Sequence, residues 1–442
     1  MKQDLTQGSI GYGLLRFSLP LMAGNLLQQL YNVADTVIVG KCIDSVALAA
    51  VGSAFTLMTL LTSILLGLCM GSGVVFSQLI GAERPRELKL AVFNAFWFVA
   101  AAAVLLTGIA YVLRDWVIRM LNIPDEAVRD ISDYLTVVFA GIPFLFLYNF
   151  FASVLRAAGD SATPLWFLLG ATLLNIGLDL WLILEFQMGC AGAALATVIA
   201  QGCAAVGLAL YFLRSGRRFW PGREDRRLDG PMLHRIINCS TLTSMQQSVM
   251  NLGILMVQSL VNSFGIQVMA AFTAGVKIDS FAYSPAQDFA NGVATFVAQN
   301  DGAGKADRVR RGFRLSALLS LSYCAAVSAL VWFFAEPLLG LFVEAEEREI
   351  LAYGVQYLHM EGVWYAGIGL LFLLYAVFRG LELPLMSLIL TVLSLGLRVA
   401  LAYLLAPVLG LPGVWLAIPI GWAVADLVGL IRFRRLKRWK NA

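Results

Sequence analysis

Gly71-Ser-Gly-Val-Val-Phe-Ser-Gln-Leu-Ile-Gly-Ala82 recurs 221 residues later as Gly292-Val-Ala-Thr-Phe-Val-Ala-Gln-Asn-Asp-Gly-Ala303. Three other pairs of segments recur at nearly the same offset: 48–51 with 269–272, 155–156 with 378–379, and 189–196 with 410–417. The repeats of common solenoids have periods of about 20 to 50 residues. A period of half the chain therefore indicates a duplicated domain.

The composition places this duplicated domain in a membrane. Of the 442 residues, 59% are hydrophobic and only 14% are charged, and the mean hydropathy is +0.78, whereas a soluble domain carries about 25% charged residues. Spans must be helical, because lipid cannot pair backbone polar groups, and each needs about 20 apolar residues. Twelve stretches qualify, near 14–38, 46–75, 91–113, 127–153, 163–184, 190–213, 236–262, 267–297, 313–335, 349–378, 384–406 and 411–433.

The basic residues predict the topology. They concentrate in alternate loops, above all in the central loop 214–235 and the C-terminal tail 432–440. By the positive-inside rule both termini and the central loop are cytoplasmic. A nucleic-acid partner is not expected, since the basic runs flank spans. Six spans per half make the repeats parallel, related by a pseudo-two-fold axis along the membrane normal.

We therefore predict an all-α integral membrane protein with twelve transmembrane helices in two six-helix lobes. The predicted boundaries are 1–213 for the N-terminal lobe, 214–235 for the cytoplasmic linker and 236–442 for the C-terminal lobe with its basic tail. A duplicated, strongly apolar chain of this kind is typical of transporters, whose substrate site lies between the repeats.

Polar residues inside the first-half spans are candidates for function. Asn25, Gln28, Asn32 and Asp35 follow one face of the first helix, where Pro20 invites a bend fifteen residues before the aspartate. Buried charge is costly in a membrane, about 2.5–3.5 kcal/mol at a helix centre. The face therefore predicts a protonatable or cation-binding carboxylate on a bendable helix that lines a cavity. A hydrogen-bonded helix contact is the alternative.

The fifth span repeats this pattern with Thr172, Asn175 and Asp179 on one face. Asn175 and Asp179 are expected to hold a cation together, or to share a proton with Asp35. The alternative is that Asp179 lies close to the outer interface and is simply hydrated.

The second-half spans carry a different set of polar residues. Candidates for a substrate cavity are Gln28 and Asn32 from the first half, with Gln247, Asn251, Asp279 and Glu361 from the second. Lys277, Asp288 and Arg398 also lie within spans, and Lys277 and Asp279, two residues apart, point in different directions. An interior charge network that holds helices together remains the alternative.

Catalytic and metal-binding motifs are not found. Gly71-Ser72-Gly73 lacks the spacing of a nucleophile elbow, and the sequence contains no phosphate-binding loop. The six cysteines are scattered and predict neither disulfides nor a metal site. The glycines at 67–73 are explained by close helix packing. We therefore expect a protein that is not an enzyme.

Several segments resemble the multidrug and toxic compound extrusion (MATE) family, and the resemblance covers the whole chain. They are Leu19-Pro20-Leu21, Ala34-Asp35-Thr36, Gln78-x-x-Gly81-Ala82, Arg156-Ala-Ala-Gly159-Asp160 and Gly189-x-x-Gly192-Ala-Ala-x-Ala-Thr197. Ala298-Gln299-Asn300-x-Gly302-Ala303-Gly304 resembles its bacterial DinF/MepA-like branch.

The resemblance implies a function. It implies two six-helix lobes forming a cleft of alternating access, and export of amphipathic, often cationic, compounds in exchange for protons or sodium. It implies a cation-coupling site in the first lobe, with a possible Na⁺ at Asp35, Asn175, Asp179 and Thr197. No cofactor is expected besides the coupling ion, H⁺ or Na⁺. The expected partners are amphipathic small molecules and the lipid bilayer, with the protein a monomer in the cytoplasmic membrane.

Other functions remain open at this point. A flippase for lipid-linked saccharides, from the same superfamily, is the main alternative, although it would favour a cationic cavity. A membrane-embedded enzyme would need a clustered nucleophile or metal-ligand set. A channel would conduct without exchange stoichiometry.

Overall fold

The computed structural model describes residues 4–42, 45–120, 125–216, 219–343 and 347–436, without the side chains of 31–57, 117, 120, 125–127, 130, 254 and 255. Its secondary structure within these ranges is helical, as predicted. The helices are α1 Ile10–Cys42, α2 Ser45–Gly81, α3 Pro85–Met120, α4 Asp125–Ala140, α5 Ile142–Ala157, α6 Ala162–Leu180, α7 Gly189–Ser215, α8 Gly230–Asn262, α9 Ile266–Gly302, α10 Ala306–Leu339, α11 Arg348–Gly362, α12 Tyr365–Gly380, α13 Pro384–Leu409 and α14 Leu411–Arg434. A π-helical turn, Trp181–Glu185, extends α6.

These fourteen helices correspond to twelve spans. In the described part of the chain seven helices are long and apolar enough to cross a membrane, and nine spans result if each bent pair, α4 with α5 and α11 with α12, counts as one. The other three of the twelve predicted spans are α1, α8 and α9. They are the helices that carry most of the polar residues singled out above, which lowers their mean hydropathy.

The fourth span of each half is bent, which the sequence did not predict. The axis turns by 41° between Ile131–Ala140 and Ile142–Ala157, and by 52° between Arg348–Gly362 and Tyr365–Gly380. At the first break, Pro143 in the first turn of α5 lacks a backbone donor. Because the two breaks fall at equivalent points of the repeat, they belong to the duplicated scaffold.

Contacts divide the described residues into two compact units. The first unit is Asp4 together with Ala23–Ser244, and the second is Leu5–Met22 together with Met245–Ala442. The start of α1 therefore packs with the second unit, and the start of α8 packs with the first. The lobe boundaries predicted from the loops remain a prediction, since they follow chain order rather than contacts.

The repeated glycine explains this exchange of helix starts. In the first unit a Cβ atom at Gly71 would clash with Cys239 and Ser240 of α8, and one at Gly67 would clash with Ser244. In the second unit a Cβ at Gly292 would clash with Ser18 of α1. Glycine thus lets each backbone approach the crossing helix closely, as small residues do in membrane bundles.

The repeated glutamine, Gln78 in the first half and Gln299 in the second, hydrogen-bonds to the residues at the start of α8 and just before α1. Gln78 Oε1 accepts a hydrogen bond from Arg235 Nη2 at 3.0 Å in the first unit. In the second unit Gln299 Oε1 accepts one from the Leu5 backbone at 3.3 Å, and Asn300 Nδ2 donates to the Leu5 carbonyl at 3.1 Å. The repeated segment that reveals the duplication, 71–82 and 292–303, therefore contacts the start of α8 in the first unit and the segment before α1 in the second.

Leu5→Asp is expected to destabilise the second unit. The Leu5 side chain is buried in the apolar core, where a carboxylate is costly to desolvate, so we expect a loss of about 3 kcal/mol and a fall of about 6 °C in Tm. Thermal unfolding in detergent measures this. Gln7→Asp adds the same charge at an exposed position and should leave Tm unchanged; equal Tm values for both variants would contradict the docking of Leu5.

Candidate functional site

A buried polar face on α6 forms the first candidate site, in the first unit. Thr172, Asn175 and Asp179 are all buried, although they stand on a helix whose other faces expose large apolar side chains such as Trp166 and Leu173. Asn175 Nδ2 lies 3.4 Å from Thr197 Oγ1 of α7. The structure therefore brings these two predicted residues together, with Asp179 one turn further along the same helix.

The local backbone at this face is irregular. Asp179 lies two residues before the π-helical turn Trp181–Glu185, and such single π turns occur frequently at functional sites. Asn175 Oδ1 is buried with no hydrogen-bond donor among the described residues. An oxygen atom of this kind can act as a ligand for a hard cation such as sodium.

The predicted residues of α1 are described only in part. The side chains of Asn32 and Asp35 lie outside the described residues, so their part in the site stays a prediction. Gln28 is exposed on α1. Pro20 lies inside α1, which continues as one helix on both sides of it; its role in bending also remains a prediction.

A second buried cluster surrounds Asp279 of α9, in the second unit. Asp279 is only 1% exposed. Its Oδ2 accepts a hydrogen bond from Tyr357 at 2.5 Å, and its Oδ1 accepts one from Tyr365. Glu361 is buried as well and interacts with Tyr357. Two carboxylates that the sequence predicted separately thus lie in one cluster.

The break between α11 and α12 builds this cluster. Tyr357 and Glu361 stand in the last turns of α11, and Tyr365 opens α12, so the bend directs side chains from both helices toward Asp279. Tyr357 also packs edge-on against Trp415 at a centroid distance of 4.9 Å. The tyrosines were not predicted, because alone they resemble ordinary apolar core residues.

A buried arginine supplies the only positive charge that acts on both carboxylates among the described residues. Arg398 of α13 interacts electrostatically with Asp279 and Glu361, without an ion pair within 4.0 Å in the described chain. Glu361 Oε2 and Arg398 Nε are buried without hydrogen-bond partners among the described residues. The described side chains therefore satisfy the charges of this cluster only in part.

The remaining candidates lie outside these two clusters. Lys277 is exposed and lies 5.8 Å from the ring centroid of Phe342, so it points away from Asp279 as predicted. Asn251 is half-buried on α8. Gln247 lines a separate cavity together with Arg379. Within the described residues, no group of three or more His, Cys, Asp or Glu side chains is arranged to hold a metal ion.

Comparison with known proteins agrees with the duplication. The family model MatE matches the chain twice, at residues 20–181 and 243–404. The chain is 31% identical over 445 residues to the probable multidrug resistance protein YpnP of Bacillus subtilis, covering 99% of this chain and 97% of that protein. It is 25% identical to a FAD transporter of Shewanella oneidensis, covering 95% and 93% of the two chains.

Solved structures share the whole fold. A multidrug resistance MATE family transporter in an outward-facing conformation superposes with a TM-score of 0.91 at 25% identity, covering 97% of this chain and 96% of the other. The twelve-helix, two-lobe arrangement predicted from the sequence fits this match.

Proposed function

Because the chain belongs to the MatE family of multidrug and toxic compound extrusion transporters, we propose that it is a secondary active antiporter. It exports amphipathic, cationic small molecules in exchange for protons or sodium, by alternating access between two lobes. It acts in the cytoplasmic membrane with both termini in the cytoplasm, and it needs no cofactor besides the coupling ion. The names of the relatives favour drug export over the flippase alternative.

One observation supports coupling to a cation most directly: buried acidic side chains inside helices that cross the membrane. Asp179 of α6 is fully buried beside Asn175, and Asp279 of α9 is buried beside Glu361. A buried carboxylate is costly unless it is protonated, hydrogen-bonded or bound to a cation. Such groups are suited to bind and release a coupling ion.

In this proposal the first-unit residues supply two kinds of ligand for the ion. Asn175 and Thr197 offer neutral oxygen atoms, while Asp179 and, in the proposal, Asp35 supply negative charge. Protonation of a carboxylate, or sodium held by the set, changes the charge on this face of α6. An ion can shift the balance between two conformations only if it binds one of them more tightly. We propose that it favours the state that releases substrate outside.

Asp35→Asn is expected to slow coupled export at least about tenfold, since it removes a charge-assisted interaction worth about 1.5–3 kcal/mol. Substrate uptake into everted vesicles measures this, with pH and sodium gradients imposed separately so that the responding gradient identifies the ion.

The matched control is Asp133→Asn, which removes an exposed aspartate of α4 and should leave transport unchanged. Undiminished coupled transport by Asp35→Asn, in vesicles that contain as much folded protein as the wild type, would refute the assignment of the coupling site.

A further inference from the structure

A polar cavity in the second unit contains a buried arginine that the proposed coupling mechanism does not use. The cavity lies between α8, α9 and α12 and is partly open; its free space of about 10 Å³ admits one water-sized group, such as a single oxygen atom of an oxyanion. Its polar lining consists of Gln246, Gln247, Gln287, Asn291, Tyr375 and Arg379. It is separate from the acidic cluster, because Asn291 and Asp279 are twelve residues apart on α9, about 18 Å at 1.5 Å per residue.

Arg379 has an unusual environment for a charged side chain. It is 5% exposed, and its one hydrogen bond among the described residues is from Nη2 to Asn291 Oδ1, at 2.8 Å. A guanidinium group has five N–H donors. No carboxylate of the described chain lies within 4.0 Å of it. A buried charge without a counter-charge is costly, so this site is suited to an anion that the protein itself does not provide.

The rest of the lining fits the same chemistry. The side chains around the cavity include no aspartate or glutamate, so none there would repel an anion. Three glutamines and an asparagine line the same cavity, and each of their amide groups carries an NH₂ that can donate hydrogen bonds. Met250 and Phe372 add an apolar wall. The cavity thus combines a cationic fork, amide donors and apolar surface.

We propose that this cavity binds the oxyanion group of an amphipathic molecule, a phosphate, carboxylate or sulfonate, with Arg379 as its principal ligand. The planar guanidinium binds such groups through two parallel hydrogen bonds. Arg379 closes α12 at the end next to the loop 379–383, which the charge distribution places on the cytoplasmic side. The oxyanion therefore enters from the cytoplasm or the inner leaflet.

The experiment uses the full-length protein in nanodiscs of zwitterionic phosphatidylcholine, with binding followed by calorimetry and by Tm. Three probes share one tail and differ in charge: hexyl phosphate, hexanol and hexyltrimethylammonium. We expect hexyl phosphate to bind and to raise Tm with concentration, and the other two not to do so. Because no ion gradient is present, failure here is distinguishable from failure of the proposed antiport.

Two variants of the cavity test the ligand assignment. Arg379→Gln should weaken hexyl phosphate binding about tenfold to a hundredfold, since it removes charge-assisted hydrogen bonds, whereas Arg379→Lys should retain part of the affinity. Asn291→Asp places a carboxylate beside the guanidinium and should abolish binding while Arg379 stays in place. Arg311→Gln, which removes an exposed arginine of α10, is the charge-matched control and should bind as the wild type does.

A lipid arm distinguishes the source of the oxyanion. If the inner-leaflet headgroup fills the site, nanodiscs with phosphatidylglycerol should reduce the affinity for hexyl phosphate at least about tenfold by competition, and Arg379→Gln should remove this dependence. If affinity is equal in both lipids, the site takes a soluble amphipath; either result supports the proposal. Hexyl phosphate binding that is absent, matched by hexanol, or unchanged in both Arg379→Gln and Asn291→Asp would overturn it.

Discussion

Replacing Gly71 by leucine is expected to prevent the protein from folding correctly, with a loss of more than about 4 kcal/mol. A Cβ at this position would clash with the backbone of Cys239 and Ser240, so a flexible side chain cannot move away to accommodate it. Separating α2 from α8 would also break the buried hydrogen bond between Ser72 and Ser240, which is 2.9 Å long. The close approach at Gly67 would be lost as well.

The yield of monodisperse protein after detergent extraction and its Tm measure this effect. Gly108→Leu is the matched control: it introduces the same side chain into α3, where nothing lies within 4 Å of the added Cβ. The control should fold like the wild type. Gly292→Leu should cost less than Gly71→Leu, because its added Cβ meets the Ser18 hydroxyl group, which can rotate, and not backbone atoms. A monodisperse Gly71→Leu protein with an unchanged Tm would show that the helices do not need this contact.

The fold could be predicted to a large extent, because its main features repeat or are local. Apolar length indicates spans, and the recurrence of Gly71 at Gly292 indicates two equivalent halves. The exchange of helix starts could not be predicted, since it depends on which surface each start meets after folding. The break near Val363 was also missed, because no proline marks it.

For the candidate sites, too, the sequence predicted contacts within one helix but not contacts between distant helices. Asn175 and Asp179 share one helix, so their common face follows from spacing alone. Asp279 and Tyr365 are separated by 86 residues, and only the bend between α11 and α12 brings them into contact. The periodicity of a single sequence cannot predict a contact between residues so far apart in the chain.

The two halves now differ in a more specific way than the sequence suggested. Both fourth spans are broken, yet only the second break carries an acid, Glu361, whereas Val138, Phe139 and Ala140 precede the first. Where α6 buries Asp179, the aligned position of α13 buries Arg398. The duplicated scaffold therefore presents two different charged sites. The coupling site in the first lobe stays a prediction, and the second half contains an acidic cluster of its own.

Asp279→Ala is expected to reduce coupled export about a hundredfold and to lower stability by about 3 kcal/mol. The stability loss arises because two buried tyrosine hydroxyl groups lose their acceptor, and each unsatisfied group costs about 1–3 kcal/mol. The transport loss arises because the cluster loses the carboxylate shared by α9, α11 and α12. Everted vesicles and thermal unfolding measure the two effects, with Asp307→Asn, at an exposed site, as the control.

A triple variant separates a structural role of Asp279 from a functional one. Asp279→Leu combined with Tyr357→Phe and Tyr365→Phe replaces the carboxylate and both of its hydrogen-bond partners by apolar side chains of similar size. Because matched removal of hydrogen-bonded partners is often neutral or stabilising, the triple variant should recover part of the Tm that Asp279→Ala loses, although Glu361 and Arg398 stay in the cluster. Export should not return, since Glu361 then lacks both the Tyr357 hydroxyl group and the Asp279 carboxylate with which it interacts. Wild-type export by the stable triple variant would show that the cluster only holds the helices together.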